Sequence, residues 1–350
     1  MQCADLEKPA VGPGEFVFGV VGLSHGHIYD MTDGLLKAGA ELRWVYDPSP
    51  EKMEAFLRKY PQAKAARSEE EVLSDPEVRL VAAAAIPCDR AALGVRVMES
   101  GKDYFTDKAP LISLEQLDAA KAACARTGRR YFVFYSERLC SESAVCAARL
   151  IEQGRIGRVL QVMGMGPHRL GPPEKRPDWF YRKAQYGGIL CDIGSHQIEQ
   201  YLFFSGAKDA SIMSSHVANY QHPDYPELED FGEVSLVGDN GTSGYLRVDW
   251  FTPGGLRTWG DGRTFILGTD GYMELRKYVD VGVGPEKDQV FLVDHQGEHL
   301  IHAAGQTGIP FFGQMIRDCL DGTETAMTQA HIFKAAELCV RAQMAARKLV

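Results

Sequence analysis

Phe16–His27 reads FVFGVVGLSHGH. Its first seven residues are an apolar run ending in glycine at Gly22, the pattern of a buried parallel strand. A helical stretch follows from about Gly26 to Ala38 and is stopped by Gly39. Leu42–Tyr46 (LRWVY) is the next strand, and Asp47-Pro48-Ser49-Pro50 opens the next helix, with Ser49 as N-cap and Pro50 at its first position. Strand, glycine turn, helix and strand in this order predict a parallel sheet with helical crossovers.

The same alternation continues to about residue 136. Ser68 and Glu71 form a capping box for a short helix. Arg79–Ile86 (RLVAAAAI) is a buried strand whose alanines let a neighbouring segment or a ligand lie close. A helix is expected from about Asp89 to Ser100, a strand at Asp103–Thr106, a helix capped by Ser113 and ended by Gly128, and a last strand at Arg130–Tyr135. The expectation is a six-stranded doubly wound sheet, with a ligand crevice at the carboxyl ends of its strands. Beyond Ser136 the pattern changes. Helices are predicted at Ser141–Gln153, Asp192–Phe204, Pro310–Leu320 and Gln329–Lys348. Strands are predicted at Gly232–Val237, Ser243–Trp250, Thr264–Gly268, Tyr272–Leu275 and Val290–Val293. The fold class is therefore α/β: an N-terminal Rossmann doubly wound sheet plus a C-terminal α+β domain with a large open, mostly antiparallel sheet. The expected division is a flexible leader at 1–14, a dinucleotide-binding domain at 15–136, and a substrate-binding and oligomerisation domain at 137–350.

A length of 350 residues accommodates two domains. The balance of 38 basic against 47 acidic residues, net −9, argues against a nucleic-acid backbone binder. No apolar run approaches 18 residues, so no membrane span is expected. Asp5, Glu7 and Lys8 in the first 14 residues exclude a secretory signal there. The eight cysteines contain no Cys-x-x-Cys pair, and reduced thiols in a cytoplasmic protein are the expectation.

Three segments can carry chemistry. The loop Gly22-Leu23-Ser24-His25-Gly26-His27 sits where a G-x-G-x-x-G fingerprint joins a strand to a helix N-terminus, whose amides and partial charge suit a pyrophosphate. Gly22 occupies the first glycine position, Ser24 the second and His27 the third. Asp47, 25 residues beyond Gly22, is placed to bond a ribose diol and to repel a 2′-phosphate, which favours NAD over NADP. In Thr106-Asp107-Lys108-Ala109-Pro110, Lys108 follows a parallel strand and can donate to an oxygen that gains charge; a solvated surface lysine is the plainer reading of it alone. In Gly187–His196 (GGILCDIGSH), Asp192 and His196 are four apart and share one helix face, with Glu199 one turn on. A carboxylate beside an imidazole makes a general base near neutral pH. One Asp/His pair is too few ligands for a metal, and His25, His27, His168 and His216 would add to it only if the fold gathered them. No metal is expected.

These three segments, in this order, resemble the Gfo/Idh/MocA oxidoreductase family from about Phe16 to Lys348. The resemblance implies an N-terminal NAD(P)-binding domain and a C-terminal domain carrying the substrate side. Thr106–Pro110 is similar to the family's Glu-Lys-Pro motif, with Asp107 and Ala109 where Glu and Pro are usual. Asp192–His196 is similar to its Gly-Gly…Asp-x-Gly-x-His signature. The resemblance makes His196 the proton acceptor, Asp192 its partner at the substrate hydroxyls and Lys108 a further polar contact or proton relay. It places Gly22, Leu23, Ser24, His25, His27, Asp47, Ile86, Pro87 and Lys108 at the cofactor. Trp179 and Arg182, in an aromatic loop with Tyr181 and Tyr186, are expected at the substrate, although packing between subunits would use them equally well. His168, Arg169, Arg257 and Trp259 are weaker cases of the same kind.

The implied reaction is hydride transfer between NAD and a secondary alcohol of a sugar, cyclitol or related polyol. Two alternatives stay open: redox-assisted glycoside cleavage or epimerisation without net NADH, and a non-catalytic binding protein of the same fold. The expected partners are a small-molecule substrate and a second copy of the chain, as a homodimer or homotetramer.

Overall fold

Six strands, β1 (Val17–Leu23), β2 (Glu41–Tyr46), β3 (Lys64–Ala65), β4 (Val78–Ala84), β5 (Asp103–Asp107) and β6 (Tyr131–Phe134), pair in parallel in the order β3-β2-β1-β4-β5-β6. This order reverses direction between β1 and β4, the place where doubly wound sheets bind dinucleotides. The structure is a computed structural model and describes residues 8–350. The chain divides into two units, one formed by residues 8–134 and Pro310–Phe333, the other by Tyr135–Ile309 and Lys334–Val350.

In the first unit the crossovers are α1 (His27–Lys37), α2 (Pro50–Lys59), α3 (Glu69–Ser74), α4 (Pro87–Glu99) and α5 (Leu114–Thr127). Side-chain caps start three of them: Ser49, Ser68 and Ser113 accept from Lys52, Glu71 and Gln116 amides. The capping box at Ser68 is only half made, because Glu71 Oε2 accepts from the Arg67 amide instead of from its own cap. The two-residue β3 was not located from the sequence, since Lys64 and Ala65 are exposed and carry no apolar alternation. Pro310–Phe333 joins this unit through α11 (Phe311–Asp321). Phe312 on α11 lies so close to α1 that a Cβ at Gly34 would fall 2.2–2.5 Å from its ring, so glycine is required there. Of the stretch expected to be a loose leader, residues 1–7 lie outside the described residues. The rest is tied down: Ala10 N–H donates to Ala38 C=O at 2.8 Å, and Val11 is buried.

The second unit is built on nine strands. They are β7 (Val159–Pro167), β8 (Ala210–Ala218), β9 (Phe231–Gly238), β10 (Ser243–Asp249), β11 (Arg263–Gly268), β12 (Gly271–Arg276), β13 (Gln289–Asp294), β14 (Gly297–His302) and β15 (Arg347–Lys348), ordered β14-β13-β12-β11-β7-β10-β9-β8-β15. Pairing is antiparallel except for β7 with β10 and β15 with β8. The central strand β7 escaped the sequence reading. Its buried face is set by Gly164 and Gly166, where a Cβ would collide with the Gln197 side chain, so apolar alternation is missing. Helices α6 (Ser136–Leu139), α7 (Glu142–Glu152), α8 (Lys183–Tyr186), α9 (Ile189–Asp192), α10 (Gly194–Ser205) and the last twelve residues of α12 (Gln329–Ala345) complete this unit. Along β9 to β12 the buried residues alternate with half-exposed ones, so one sheet face is packed and the other is not.

Candidate functional site

In the first unit, β1 turns into α1 through Gly22, whose φ is +84° and where a Cβ would meet Ala85 at 3.1–3.3 Å. Only glycine fits that turn. Beyond Leu23, the amides of Ser24 and His25 both donate to Ala84 C=O, at 2.9 and 3.1 Å. Gly26 precedes α1 without a side-chain cap, and a Cβ built there would meet nothing within 4 Å. The start of α1 is thus uncrowded, with no cap from Gly26 and its first amide meeting the His25 ring at 3.3 Å, which fits an anion at a helix N-terminus.

Asp47 is nearly buried, and each carboxylate oxygen holds a backbone amide: Leu23 N–H at 2.6 Å and Ser49 N–H at 2.9 Å. It therefore ties the end of β1 to the start of α2, a role the sequence reading did not give it. Its remaining acceptor capacity still suits a ribose hydroxyl. Lys52, on α2, donates to Ser24 Oγ at 3.1 Å. Ile86 is the N-cap of α4 and Pro87 its first residue, so this helix starts two residues earlier than expected.

At the end of β5 lies a cluster that the sequence only hinted at. Asp107 is fully buried. His25 Nδ1 is 3.0 Å from its Oδ2, His27 Nδ1 is 2.8 Å from its Oδ1, and the Arg90 guanidinium is 3.1 Å from Oδ2. Burial alone would push the Asp107 carboxyl up. The charges of His27, Arg90 and His25 outweigh it and hold the group well below the usual carboxylate range. Burial pushes His25 down to about 4, against the pull of Asp107. Arg90, itself 1% exposed, also donates to the carbonyls of Ala85, Lys108 and Ala109. It clamps the turn that carries Lys108, which is 4% exposed. The plain surface-lysine reading of Lys108 is thereby overturned. The fold gathers two of the four histidines considered as metal ligands. The His25, His27 and Asp107 donor atoms lie within 4.8 Å of one another, but Asp107 also holds Arg90 and the Lys108 amide, at hydrogen-bond separations. His168 and His216 lie in the other unit.

In the second unit the Gly-Gly segment does close work. Gly187 and Gly188 have φ of +87° and +90°, and a Cβ at Gly188 would meet the Gln343 side chain at 2.3–2.7 Å. That side chain accepts from the Leu190 amide. Asp192 ends α9 and His196 stands in the first turn of α10, so the expected single helix is two, joined by Ile193 in a helical conformation. The four-residue spacing is kept through the junction. Asp192 is 9% and His196 1% exposed. Tyr135 lies edge-on to the His196 ring at 6.4 Å, and Gln200 Nε2 donates to the His196 carbonyl.

Arg176 was missed in the sequence. It is braced by the carbonyls of Arg169 and Leu170 and packs over Phe180 and Trp250. Burial lowers its pKa, and the charge of Asp192 works against that. Glu199 does not extend a reactive stripe. It is fully buried in a two-pronged ion pair with Arg138, at 2.7 and 2.9 Å from Arg138 Nε. A second buried set surrounds Glu137: Gln197 donates to it at 2.7 Å, and Lys277 and His168 stand 3.7 Å from its oxygens. Burial lowers the Lys277 pKa against the pull of Glu137. Trp259 packs on His168 and on Tyr278. Trp179 is half-buried in a 3-10 turn at Asp178–Tyr181, and the Arg182 side chain is exposed. Arg169 and Arg257 brace loops: Arg169 donates to the carbonyls of Pro253, Leu256 and Thr258, and Arg257 to those of Asp280 and Gly284.

Comparison with known proteins agrees with this geometry. Residues 16–135 match the oxidoreductase family with an NAD-binding Rossmann fold, and residues 145–274 match the Gfo/Idh/MocA C-terminal domain. A crystal structure of a candidate oxidoreductase from Erwinia carotovora atroseptica SCRI1043 is 51% identical, with a TM-score of 0.93, over 96% of this chain and 100% of that one. The scyllo-inositol 2-dehydrogenase (NAD(+)) of Bacillus subtilis (strain 168) is 24% identical over 309 residues, 86% of this chain and 85% of its own. A levoglucosan dehydrogenase in complex with NADH and levoglucosan shares the fold, at 17% identity and a TM-score of 0.78 over 94% and 96% of the two chains. Both halves match in sequence order and in fold, and the chain belongs to the Gfo/Idh/MocA oxidoreductases, whose N-terminal domain is an NAD-binding Rossmann fold.

Proposed function

We propose that this protein is an NAD-dependent dehydrogenase for a secondary alcohol of a sugar, cyclitol or related polyol. The observation that carries the reading is the burial of three ionisable side chains, Lys108, Asp192 and His196, on the two family signatures. Keeping such groups out of water is costly and is characteristic of sites that use them. The names of the inositol and levoglucosan relatives support the polyol class.

Residues 15–136 form the cofactor domain in this reading and 137–350 the substrate and oligomerisation domain. Gly22, Leu23, Ser24, His25, His27, Asp47, Ile86, Pro87 and Lys108 hold NAD, with Asp47 disfavouring a 2′-phosphate. NAD, when bound, supplies the acceptor for the hydride. His196 takes the proton of the substrate hydroxyl, with Asp192 supporting the resulting imidazolium. Lys108 and Asp192 fix the hydroxyl, and the Lys108 ammonium stabilises charge on its oxygen. Trp179 and Arg182 contact the rest of the substrate.

A thermal-shift screen tests the cofactor half. NAD+ and NADH are expected to raise the melting temperature, and NADP+ and NADPH to do so less. Equal or greater stabilisation by the 2′-phosphorylated pair overturns the role given to Asp47.

The same reading takes the unpacked face of the nine-stranded sheet as the seat of a second copy. Met163, Tyr245, Phe265, Tyr272 and Phe291 lie half-exposed or exposed on it. Sedimentation at micromolar concentration is expected to give a dimer or tetramer, and a monomer would remove this assignment. The cytoplasmic placement rests on the seven described cysteines being thiols. Among the described residues no helix is long and apolar enough to cross a membrane.

A further inference from the structure

Two amides that a glycine-rich fingerprint would turn toward a dinucleotide are used otherwise in this chain, because Ser24 and His25 N–H both donate to Ala84 C=O. In their place the loop carries two imidazoles on one buried carboxylate. His25 is under two conflicting demands. Its Nδ1 lies 3.0 Å from Asp107 Oδ2, and it also accepts the His27 N–H, at the first residue of α1, at 3.3 Å. A proton on Nδ1 satisfies the carboxylate and forfeits the His27 amide. A lone pair on Nδ1 accepts that amide but faces carboxylate lone pairs. The imidazolium resolves the conflict once an anion is present. Its Nδ1–H donates to Asp107, its Nε2–H becomes a donor on the opposite ring edge, and the His27 amide is released at the start of α1.

Resting on the NAD reading above, we propose that protonated His25, with Asp107 as its counter-ion, recognises the dinucleotide pyrophosphate, so that cofactor binding takes up one proton from solvent. In the free protein burial keeps His25 neutral at pH 7. The groups facing it are Asp107 from β5, which favours the charge, and His27 and Lys108, which oppose it; Arg90 from α4 shares the Asp107 carboxylate. A pyrophosphate adds two negative charges to this balance and tips it toward the imidazolium. The loop then exchanges fixed amide donors for a proton-dependent one at His25.

Isothermal titration of the full chain with NAD+ at pH 5.5, 6.5 and 7.5, each in buffers of different ionisation enthalpy, tests this. The expected result is proton uptake approaching about one per site, with affinity weakening up to about tenfold per pH unit between the free-protein value of about 4 and the bound-state pKa, and levelling off above it. His25→Asn is expected to abolish the uptake and flatten the pH profile. His216→Asn, at a histidine paired with Glu233 in the other unit, is expected to keep both. NAD+ binding without proton uptake at any of the three pH values overturns the proposal and leaves the cofactor reading standing, and so does uptake unchanged in folded His25→Asn. Should His25→Asn fail to fold, the wild-type uptake decides. Absence of NAD+ binding at every pH overturns the cofactor reading itself, and the proposal with it.

Discussion

His196→Ala is expected to lower kcat by about 10²–10⁴ while leaving NAD+ affinity within about twofold, because the loss is that of a positioned proton acceptor. The imidazole is 1% exposed and stands in the first turn of α10, so its position is set by the fold and not by solvent. Lys108→Met is expected to lose turnover to a similar degree and still bind NAD+. The ammonium would act on the oxygen that gains charge, and the cofactor residues other than Lys108 keep hold of the dinucleotide. A rise of the pH optimum in His196→Ala with partial rescue by added imidazole would mark the role as proton transfer. Full turnover in both variants contradicts the assignment of the site. Loss of NAD+ binding in His196→Ala contradicts the separation of roles.

Arg90→Leu is expected to destabilise the protein by about 3–5 kcal/mol, the cost of removing one partner of a buried ion pair. The substitution takes the guanidinium from fully buried Asp107, leaving it the two imidazoles and the Lys108 amide, and removes the donor to three carbonyls, those of Ala85, Lys108 and Ala109. Each orphaned buried acceptor adds to the loss. Arg90→Lys keeps a charge but not the fork that reaches several acceptors at once, and should fall between wild type and Arg90→Leu. Urea unfolding at neutral pH gives the difference directly. An Arg90→Leu protein as stable as wild type would mean that the clamp on the Lys108 turn is incidental. The same variant should lose activity beyond its stability loss, since the turn that aims Lys108 is no longer held.

The parallel sheet was legible because its cues are local. Gly22, Gly39, Gly101 and Gly128 end elements, Ser49, Ser68 and Ser113 start them, and buried strands read as apolar runs. The Gly187–His196 signature was equally legible, since Gly187 and Gly188 have positive φ and the spacing of Asp192 and His196 survives the helix break. Cues that depend on distant partners were not. β7 hides behind two glycines whose reason is Gln197 on another element. Arg90 lies near the start of α4, but its value comes from Asp107, 17 residues away. Asp107 could be seen only as an aspartate where glutamate is usual, and its pairing with His25 and His27 spans about 80 residues. Glu199 fits a helical stripe with His196, yet Arg138 claims it. Spacing along a helix fixes direction, not partner.

In the proposed function the two family signatures perform net oxidation of a polyol carbon. Its most direct test is to incubate the wild-type protein with NAD+ and a panel of inositols, aldoses and anhydrosugars and to follow the NADH absorbance band. NADH is expected to form in a one-to-one ratio with ketone product for at least one polyol, and to be lost in His196→Ala. Tight NAD+ binding with no NADH from any of them, or glycoside cleavage without NADH accumulation, would contradict it.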